Sequence, residues 1–407
     1  MKCGLLGKKL GHSYSPQIHS LLADYSYELF EKQPEELEHF LQYGDFTGLN
    51  VTMPYKKDVI PYLDELTPRA RMLGAVNTIV RTSEGKLIGH NTDYFGFSSM
   101  VQRTGLQLAG RKVLVLGSGG ASSTVCAVLR ELNACITLVS RNGENNYSNL
   151  HLHKDASVII NTTPLGMYPN VGISPVDLDA FPRLEGVLDV VYNPARTKIL
   201  MDAEKHGLIT ENGLWMLIAQ AKESAEWFSG KKIDDSEIEK IYHKLRFQML
   251  NLILIGMPGC GKSTIGKLLA EKTGKRFIDA DEEVVKLAGK AIPDIFSQSG
   301  ELGFRELETK ILHTFGMKSG LVISTGGGCV TKKENYESLH QNGTIIWLQR
   351  DISSLPTDGR PLSITGDLEK MYLVREPMYE KFADFGVDNN GPVEQTLQNI
   401  LMAGGLM

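Results

Sequence analysis

Short apolar runs alternate with amphipathic stretches of helical period along almost the whole chain. This alternation is typical of α/β proteins, in which helices connect the strands of a parallel sheet. Two of the apolar runs lead into a glycine-rich turn and then a helix-like segment, at residues 111–125 (RKVLVLGSGGASSTV) and 250–269 (LNLILIGMPGCGKSTIGKLL). A strand, a glycine turn and a helix in this order typically bind phosphate, so the pattern predicts two phosphate-binding units.

The two glycine turns lie too far apart to belong to one domain. Residues 236–247 have helical period and end the first part. No linker rich in Pro, Gly or Ser follows, so we predict a tight junction near residues 246–250. The helix-like stretch 213–229 is expected to pack back on the N-terminal residues. The predicted domains are therefore residues 1–100 with 213–247, residues 101–212, and residues 250–407.

Composition and charge exclude several classes of function. The 407 residues carry 43 Lys and Arg against 48 Asp and Glu, a net charge of −5, whereas nucleic-acid-binding proteins are usually basic. No apolar run approaches the ~20 residues that span a bilayer, and the first residues lack a signal-peptide pattern. The five cysteines are scattered without a CxxC pair, which argues against a disulfide framework or zinc site and favours a reducing cytoplasm.

The second glycine turn, Gly256–Ser263, fits the pattern G-x-x-x-x-G-K-[ST] in full. In such a loop the backbone amides bind phosphate oxygens, Lys262 reaches the β- and γ-phosphates, and the Ser263 hydroxyl ligates Mg²⁺. Cys260 lies at the helix N-terminus beside Lys262, so we predict that alkylation inactivates this site and that ATP protects it; a small residue tolerated at a variable position is the alternative. The remaining expected nucleotide contacts are Gly259, Cys260, Gly261 and Thr264.

Further motifs follow this loop in a fixed order. They are Asp279-Ala-Asp281, Phe304-Arg305, Gly326-Gly327-Gly328, Arg360-Pro361 and Arg375-Glu-Pro-Met-Tyr379. Together with the loop they resemble shikimate kinase over residues 251–390. The family's lid usually carries an additional arginine upstream of the Arg-Pro pair, and the corresponding stretch here (DISSLPTDGRPLSITG) lacks it.

The resemblance to shikimate kinase implies a role for each of these side chains. Arg305 and Arg375 are expected to clamp the carboxylate of shikimate, and Asp281 to orient the attacking hydroxyl. Gly327, in the glycine triplet, lets the backbone approach the substrate ring. The remaining implied roles are water-mediated Mg²⁺ binding by Asp279, and charge neutralisation and ATP binding by Arg360.

The first glycine turn fits a dinucleotide-binding turn, and the next predicted strand ends in Ser140-Arg141-Asn142. An NAD-binding protein tends to have an acidic residue at this place, whereas an arginine favours the 2′-phosphate of NADP. A domain of this type that binds another phosphate is the alternative. The expected NADP(H) contacts are Gly117, Gly119, Gly120, Ala121, Ser140, Arg141 and Asn142.

Seven polar motifs around this turn resemble shikimate dehydrogenase over residues 1–246. They are His12-Ser13-Tyr-Ser15-Pro16, Asn50-Val-Thr52-Met-Pro-Tyr-Lys56, Gly74-Ala-Val-Asn77-Thr78, His90-Asn91-Thr92-Asp93, Asn161-Thr-Thr, Asp189-Val-Val-Tyr192-Asn-Pro194 and Gly213-Leu-Trp-Met-Leu-Ile-Ala-Gln220. The family usually has a helix and a further strand between the positions of Arg141 and Asn161. Only about twenty residues separate them here, and the segment NGENNYSNLHLHKDA is too polar and too short to supply both elements, so we expect a trimmed cofactor domain.

The resemblance to shikimate dehydrogenase implies that Lys56 is the general acid/base and that Asp93 orients or tunes it. Ser13 and Ser15 are expected to bind the substrate carboxylate, although capping of the helix before Pro16 explains them as well. Turn chemistry is the alternative for Asn50 and Asn77. The expected substrate contacts are Ser13, Ser15, Asn50, Thr52, Asn77, Asp93, Tyr192 and Gln220, with Gly213 beside the cofactor.

The sequence as a whole predicts a bifunctional α/β enzyme of the shikimate pathway. A substrate domain and a Rossmann-like NADP domain would reduce 3-dehydroshikimate with NADPH, and a P-loop kinase domain would phosphorylate shikimate with ATP and Mg²⁺. The partners are expected to be these small molecules, with no nucleic acid and no membrane, and the oligomeric state is open. The alternatives are a quinate/shikimate dehydrogenase fused to the kinase, and a protein with one inactive half that senses metabolites.

Overall fold

The computed structural model describes residues 1–11, 13–355 and 368–405, which divide into two compact units. Unit 1 comprises 1–166, 173–192 and 202–244, and unit 2 comprises 167–172, 193–201 and 245–407. In the described ranges no helix is both long enough and apolar enough to cross a membrane. All three sheets contain parallel strands, and the α/β class expected from the alternating pattern is confirmed.

Unit 1 contains a mixed six-stranded sheet of order β2-β1-β3-β5-β6-β4 and a parallel five-stranded sheet of order β11-β10-β9-β7-β8. Its strands are β1 Lys2–Gly7, β2 Ser26–Glu31, β3 Gly48–Val51, β4 Glu65–Leu66, β5 Thr78–Arg81, β6 Leu87–His90, β7 Lys112–Leu116, β8 Cys135–Val139, β9 Val158–Asn161, β10 Gly186–Asp189 and β11 Ile209–Glu211. The α-helices up to the end of this unit are α1 Ser15–Leu22, α2 Leu37–Tyr43, α3 Pro68–Leu73, α4 Asp93–Thr104, α5 Gly120–Glu131, α6 Lys198–Lys205, α7 Leu214–Ser229 and α8 Ser236–Met249. The division between the units falls within α6 and α8.

The five-stranded sheet of unit 1 has its topological switch at β7. The chain runs from β7 to the edge strand β8 on one side and then returns to β9 on the other. Ligands of such sheets bind at the carboxyl ends of the strands beside the switch, where the glycine turn after β7 lies. The connection from β8 to β9 contains a 3₁₀ turn, Leu150–His153, and no α-helix or further strand.

Unit 2 is built on a parallel sheet of order β13-β14-β12-β15-β16 with a buried core of its own. The strands are β12 Asn251–Ile255, β13 Arg276–Asp279, β14 Leu321–Ser324, β15 Gly343–Gln349 and β16 Phe385–Asp388. The helices are α9 Lys262–Thr273, α10 Ala280–Ala288, α11 Ile292–Gly316, α12 Glu334–His340, α13 Leu368–Phe382 and α14 Val393–Ala403. The helix α11 is interrupted at Gly300, whose φ of +65° is non-helical. The carboxyl end of the central strand β12 leads into the second glycine turn.

Residues 193–201 belong to unit 2 although they lie in the first half of the sequence. Arg196 donates from Nη1 to the carbonyl oxygens of His340 (2.9 Å) and Gly343 (3.1 Å). The backbone amide of Ala195 donates to Asn342 Oδ1 at 2.8 Å. The turn between α12 and β15 therefore has its polar groups satisfied by a segment that is remote in sequence.

Candidate active sites

Lys56 and Asp93 form an ion pair in unit 1, with 2.6 Å between Lys56 Nζ and Asp93 Oδ2. Lys56 lies in the turn after β3, and Asp93 is the first residue of α4, where the helix N-terminus favours a carboxylate. Asn77 donates from Nδ2 to the other carboxylate oxygen, Oδ1, at 2.9 Å. Because both oxygens of Asp93 are held, the Lys56 ammonium has a fixed partner and still keeps 26% of its side chain exposed.

A buried polar network connects this ion pair to α7. Asn77 Oδ1 accepts a hydrogen bond from the backbone amide of Thr92 at 2.7 Å. Gln220 Oε1 accepts from Thr92 Oγ1 at 3.3 Å and from Asn77 Nδ2 at 3.4 Å. The structure thus brings four of the expected residues together: Lys56, Asp93, Asn77 and Gln220.

The side chain of Asn50 lies behind this group, and protein partners occupy its amide. Asn50 Nδ2 donates to Ser224 Oγ at 2.8 Å and to the Asn77 carbonyl at 3.3 Å. Asn50 Oδ1 accepts from the Tyr27 hydroxyl at 2.8 Å. In this arrangement Asn50 positions its neighbours, and its contact with substrate stays a prediction.

Ser13, Ser15 and Tyr192 lie on the α1 side of unit 1. The Ser15 amide donates to Ser13 Oγ at 3.2 Å in the turn before α1, whose N-cap residue, Tyr14, makes no capping hydrogen bond with its side chain. Burial raises the pKa of Tyr27, and a hydrogen bond with Ser15 opposes that rise. The ring of Tyr192 meets Tyr14 edge to face, with 6.2 Å between the ring centroids. Ser15 is therefore linked through Tyr27 to Asn50 and the network behind the ion pair.

The glycine turn of unit 2 surrounds a cavity of about 580 Å³ at the carboxyl edge of its sheet. Gly256, Gly259 and Gly261 have φ values of +143°, +86° and +99°, which side chains with a Cβ rarely adopt. Lys262 Nζ donates to the carbonyl oxygens of Gly256 (2.9 Å) and Met257 (3.0 Å). The ammonium thus occupies a position beside the loop from which it has to turn to reach a phosphate.

Arg305 and three carboxylates, those of Glu308, Glu301 and Asp281, form a cluster at this cavity. Arg305 pairs with the fully buried Glu308, with 2.7 Å between Arg305 Nη1 and Glu308 Oε2, and also with Glu301 at 3.1 Å. A Cβ on Gly326 would collide with Glu308 Oε1 and lie 2.9 Å from Asp281 Oδ1, so both carboxylates border that glycine. Burial raises the pKa of Glu308, and the charge of Arg305 opposes that rise.

Arg375 and the glycine triplet complete the substrate side of the cavity. Arg375 donates from Nη1 to the Gly327 carbonyl at 3.2 Å, and the Tyr379 hydroxyl donates to the same oxygen. A Cβ on Gly328 would collide with the guanidinium of Arg305. The structure therefore brings Asp281, Arg305, Gly327, Arg375 and Lys262 to one cavity. The expected lid residue Arg360 lies outside the described residues.

Two family models match separate parts of the chain. Residues 5–79 match the shikimate dehydrogenase substrate binding domain, and residues 258–403 match shikimate kinase. The chain is 37% identical over 265 residues to the shikimate dehydrogenase (NADP(+)) of Clostridium perfringens (strain 13 / Type A), covering 60% of this chain and 97% of that protein. The chain belongs to the shikimate dehydrogenase family. It carries a shikimate kinase domain in addition.

Solved structures agree with this assignment to the shikimate dehydrogenase family. A chorismate mutase/shikimate 5-dehydrogenase fusion protein from Clostridium acetobutylicum is similar with a TM-score of 0.57 and 38% identity, covering 60% of this chain and 96% of that one. The quinate dehydrogenase from Corynebacterium glutamicum, in complex with NAD, is similar with a TM-score of 0.55 and 26% identity, covering 60% and 99%.

The shikimate dehydrogenase part has a nucleotide cradle that fits NADP(H). Gly119 caps α5 and Gly120 begins it, and a Cβ on either glycine would point into open space. The helix N-terminus therefore offers free amides to a pyrophosphate, next to Ala121. Arg141, after β8, is exposed and forms no hydrogen bond or ion pair within the described ranges, so its guanidinium is available to a 2′-phosphate.

Gly213 has a packing reason for being a glycine that is independent of the cofactor. A Cβ at this position would collide with the carbonyl group of Val190. Gly117, by contrast, needs its φ of +105° for the turn after β7, and a Cβ there would lie 2.9 Å from Thr162 Oγ1. The cofactor contact of Gly213 stays a prediction, as do those of Ser140 and Asn142 in the loop after β8.

The shikimate kinase domain offers an oxygen pair that fits Mg²⁺. Ser263 Oγ donates to Asp279 Oδ2 at 2.6 Å, at the start of α9. Asp279 also caps α10, because its Oδ1 accepts from the Asp281 amide at 3.0 Å. A hydroxyl and one carboxylate suit a cation that keeps most of its waters. Within the described ranges no group of three or more His, Cys, Asp and Glu residues is arranged to hold a metal.

The prediction that Cys260 is readily alkylated is wrong in this structure. Its side chain is completely buried in the core of the shikimate kinase domain, and the thiol lies 3.9 Å from Lys262 Nζ on the inner side of the loop. A reagent cannot reach the sulfur without opening the loop. The Cys260 carbonyl accepts a hydrogen bond from Asn389 Nδ2 at 2.6 Å, and the Cys260 backbone amide donates to the Met257 carbonyl at 3.2 Å.

Three residues of the two sites escaped sequence reasoning. Glu308 follows Arg305 by three residues on α11, which places both on one helical face. Ser224 follows Gln220 by one turn of α7 and donates to its carbonyl at 2.9 Å. The spacing of these two was a usable signal, whereas Tyr27, on β2, has no local signal at all.

Proposed function

We propose that the chain is a bifunctional enzyme that reduces 3-dehydroshikimate to shikimate with NADPH and then phosphorylates the 3-hydroxyl of shikimate with ATP. The observation that carries the proposal is the presence of two assembled sites in one chain: the Lys56–Asp93 pair and the phosphate loop with Asp281, Arg305 and Arg375. The proposed domains are residues 1–100 with 213–247, residues 101–212, and residues 250–407.

In the reduction, NADPH supplies the hydride to the carbonyl carbon. The carbonyl oxygen takes its proton from the Lys56 ammonium, which becomes an amine and is reprotonated from solvent. Asp93 holds Lys56 in place, and the hydroxyls of Ser13 and Ser15 bind the substrate carboxylate. Thr52, Asn77, Tyr192 and Gln220 surround the ring and its hydroxyls.

In the phosphorylation, Asp281 accepts a hydrogen bond from the attacking hydroxyl and takes its proton as the new P–O bond forms, while the bond between the γ-phosphorus and the β–γ bridging oxygen breaks and ADP leaves. Arg305 uses three of its five N–H donors on Glu301 and Glu308, which leaves two for the shikimate carboxylate beside Arg375. Lys262 turns from the backbone carbonyls to the phosphates, and Ser263 with Asp279 would hold Mg²⁺.

A second substrate, quinate, is favoured by the similarity to the quinate dehydrogenase described above. We propose shikimate as the preferred substrate because two serine hydroxyls, Ser13 and Ser15, are available for the carboxylate. Comparing kcat/KM for oxidation of shikimate and quinate with NADP⁺ tests this choice. We also propose a cytoplasmic location, which the five free cysteines support.

The proposal is tested by one incubation of the purified full chain with 3-dehydroshikimate, NADPH, ATP and Mg²⁺, followed by mass spectrometry. Formation of shikimate 3-phosphate is expected. Accumulation of shikimate alone would reject the kinase half of the proposal. Absence of both products, with the ligands still bound, would reject catalysis and leave the metabolite-sensing alternative.

A further inference from the structure

Arg350 lies at the edge of the sheet where the phosphate loop begins. It follows β15 directly, and β15 pairs with β12 so that Trp347 is opposite Ile255, the last residue before the loop. On its other side β15 pairs with β16, where Gln349 is opposite Asp388. The register therefore carries Arg350 to the carboxyl edge, beside the glycine turn.

The guanidinium of Arg350 lines the same cavity as Gly259, Gly261, Lys262, Ser263 and Thr264. Its Nη1 lies 3.9 Å from the position that a Cβ on Gly261 would occupy. Asn389 fixes the loop from the neighbouring side through its hydrogen bond to the Cys260 carbonyl. Arg350 thus faces the part of the loop from which α9 starts.

The guanidinium of Arg350 differs from those of Arg305 and Arg375 in having no hydrogen-bond or ion-pair partner among the described residues. Its Nε is buried without a hydrogen-bond partner, and no residue of the described ranges forms a hydrogen bond or ion pair with its guanidinium. Arg305, by comparison, is paired with two glutamates, and Arg375 donates to a carbonyl. Burying a hydrogen-bond donor without a partner costs free energy, and an anionic ligand that accepts hydrogen bonds from the guanidinium would remove that cost.

We propose that Arg350 binds the polyphosphate of the nucleotide, so that the cavity holds a phosphate contact outside the G-x-x-x-x-G-K-[ST] loop. A guanidinium matches two phosphate oxygens with parallel N–H donors. The amides at the start of α9 face the same anion. This inference rests on the proposed kinase activity, because it assumes that a nucleotide occupies the cavity.

Titration calorimetry of the full chain with ADP, in EDTA so that no metal contributes, tests the role of Arg350. We expect Arg350→Ala to weaken ADP binding about 10-fold or more, since a hydrogen bond to a charged group contributes about 1.5–3 kcal/mol. Arg350→Lys should recover part of the affinity. Arg276→Ala is the matched control, because this substitution removes the same charge as Arg350→Ala. Arg276 is exposed and lies at the first residue of β13, the end of the strand away from the cavity.

A second titration with inorganic tripolyphosphate identifies the part of the nucleotide that is contacted. Arg350→Ala should lower the affinity for tripolyphosphate by about the same factor as the affinity for ADP. If Arg350→Ala lowers the affinity for ADP but not for tripolyphosphate, the assignment to the polyphosphate is overturned. If Arg350→Ala leaves the affinity for ADP unchanged, the inference is overturned altogether. If the wild-type chain binds no ADP while its dehydrogenase activity shows that it is folded, the proposed kinase function itself is rejected.

Discussion

In the dehydrogenase part the reactive cation is already neutralised, since Lys56 is paired with Asp93 and Asp93 is held by Asn77. In the kinase domain Lys262 Nζ donates to two backbone carbonyls and lies 3.9 Å from the Cys260 thiol, and Arg350 has no partner among the described residues. The two sites therefore differ in whether the protein itself supplies a counter-ion to the cation. Lys56 has its counter-ion within the protein, whereas Lys262 and Arg350 have donors that an anionic ligand can satisfy.

This difference follows from the two reactions proposed above. A proton donor has to be held in one orientation, and a carboxylate partner within the protein achieves this. A phosphoryl-transfer site has to stabilise several negative charges that arrive with the nucleotide, so carboxylates inside the phosphate loop would compete with it. Two carboxylates of the kinase site, Asp281 and Glu308, lie on the substrate wall, and a third, Asp279, accepts a hydrogen bond from Ser263, where the two would hold Mg²⁺.

Replacement of Lys56 by alanine should have the largest effect, and it should affect the dehydrogenase site alone. Loss of the proton donor is expected to reduce dehydrogenase turnover about 10³–10⁴-fold, while kinase activity of the same sample stays intact. The neighbouring exposed residue supplies the control, Lys57→Ala, which should leave both activities unchanged. Steady-state rates of NADPH oxidation and ADP formation give the two readouts. Loss of both activities in a folded Lys56 variant would contradict independent sites.

The reverse separation is expected for Asp281→Asn. An amide accepts no proton from the attacking hydroxyl, so kinase turnover should fall about 10²–10³-fold with normal dehydrogenase turnover. The exposed neighbour Glu282, changed to Gln, controls for charge on the same helix. Full kinase activity in Asp281→Asn, measured as shikimate-dependent ADP formation, would exclude Asp281 as the acceptor.

A smaller, positioning effect is expected for Glu308→Gln. The neutral side chain keeps the shape of Glu308 but leaves Arg305 without its buried counter-ion, so the KM for shikimate should rise about 10-fold and kcat should change less. Glu301→Gln removes the more exposed partner of Arg305 and should change KM less. An equal loss of kcat with unchanged KM would show that Glu308 acts on the transfer step instead.

The smallest effect concerns the pH dependence of the stability of unit 1. Burial lowers the pKa of His19 to about 3, so between pH 6.5 and 3 the unfolded chain binds a proton that the folded chain does not. The stability of the folded unit is therefore complete above pH 6.5 and is lost as the pH falls, by at most ~1.4 kcal/mol per pH unit.

This pH effect can be measured with His19→Phe, which keeps a ring to stack on Tyr27. Dehydrogenase activity reports the unfolding of unit 1 by urea, and the urea midpoint is determined at pH 7 and at pH 5. From pH 7 to pH 5 the midpoint should fall less in the variant than in the wild type. The exposed His39 changed to Phe serves as control and should keep the wild-type slope. Identical slopes in all three proteins would show that His19 does not cause the acid sensitivity.

Motifs at the ends of strands were accessible to sequence reasoning because parallel sheets gather the carboxyl ends of their strands at one edge. This reasoning applies to the glycine turns after β7 and β12 and to Asp279, the last residue of β13. Lys56, Asp93, Asn77 and Gln220 were identified only through the resemblance to a family. Their assembly depends on contacts such as Gln220 to Asn77, which are 143 residues apart.

The partners that hold these residues were beyond sequence reasoning for a physical reason. Asn50 and Ser224 meet across 174 residues, and neither has a local pattern that indicates the other. The direction of the Cys260 side chain depends on how the loop closes over the core, which motif spacing does not encode. Arg350 likewise becomes notable only when the structure shows that it has no partner among residues 1–11, 13–355 and 368–405.

The nine residues 193–201 have a consequence for synthesis of the chain on the ribosome. Arg196 is translated roughly 150 residues before Gly343, one of the backbone acceptors that it contacts in unit 2. At ~5–20 residues per second, roughly 10–30 s pass before this acceptor exists. During that time the first half of the nascent protein exposes a cationic segment that only the last part of translation can cover.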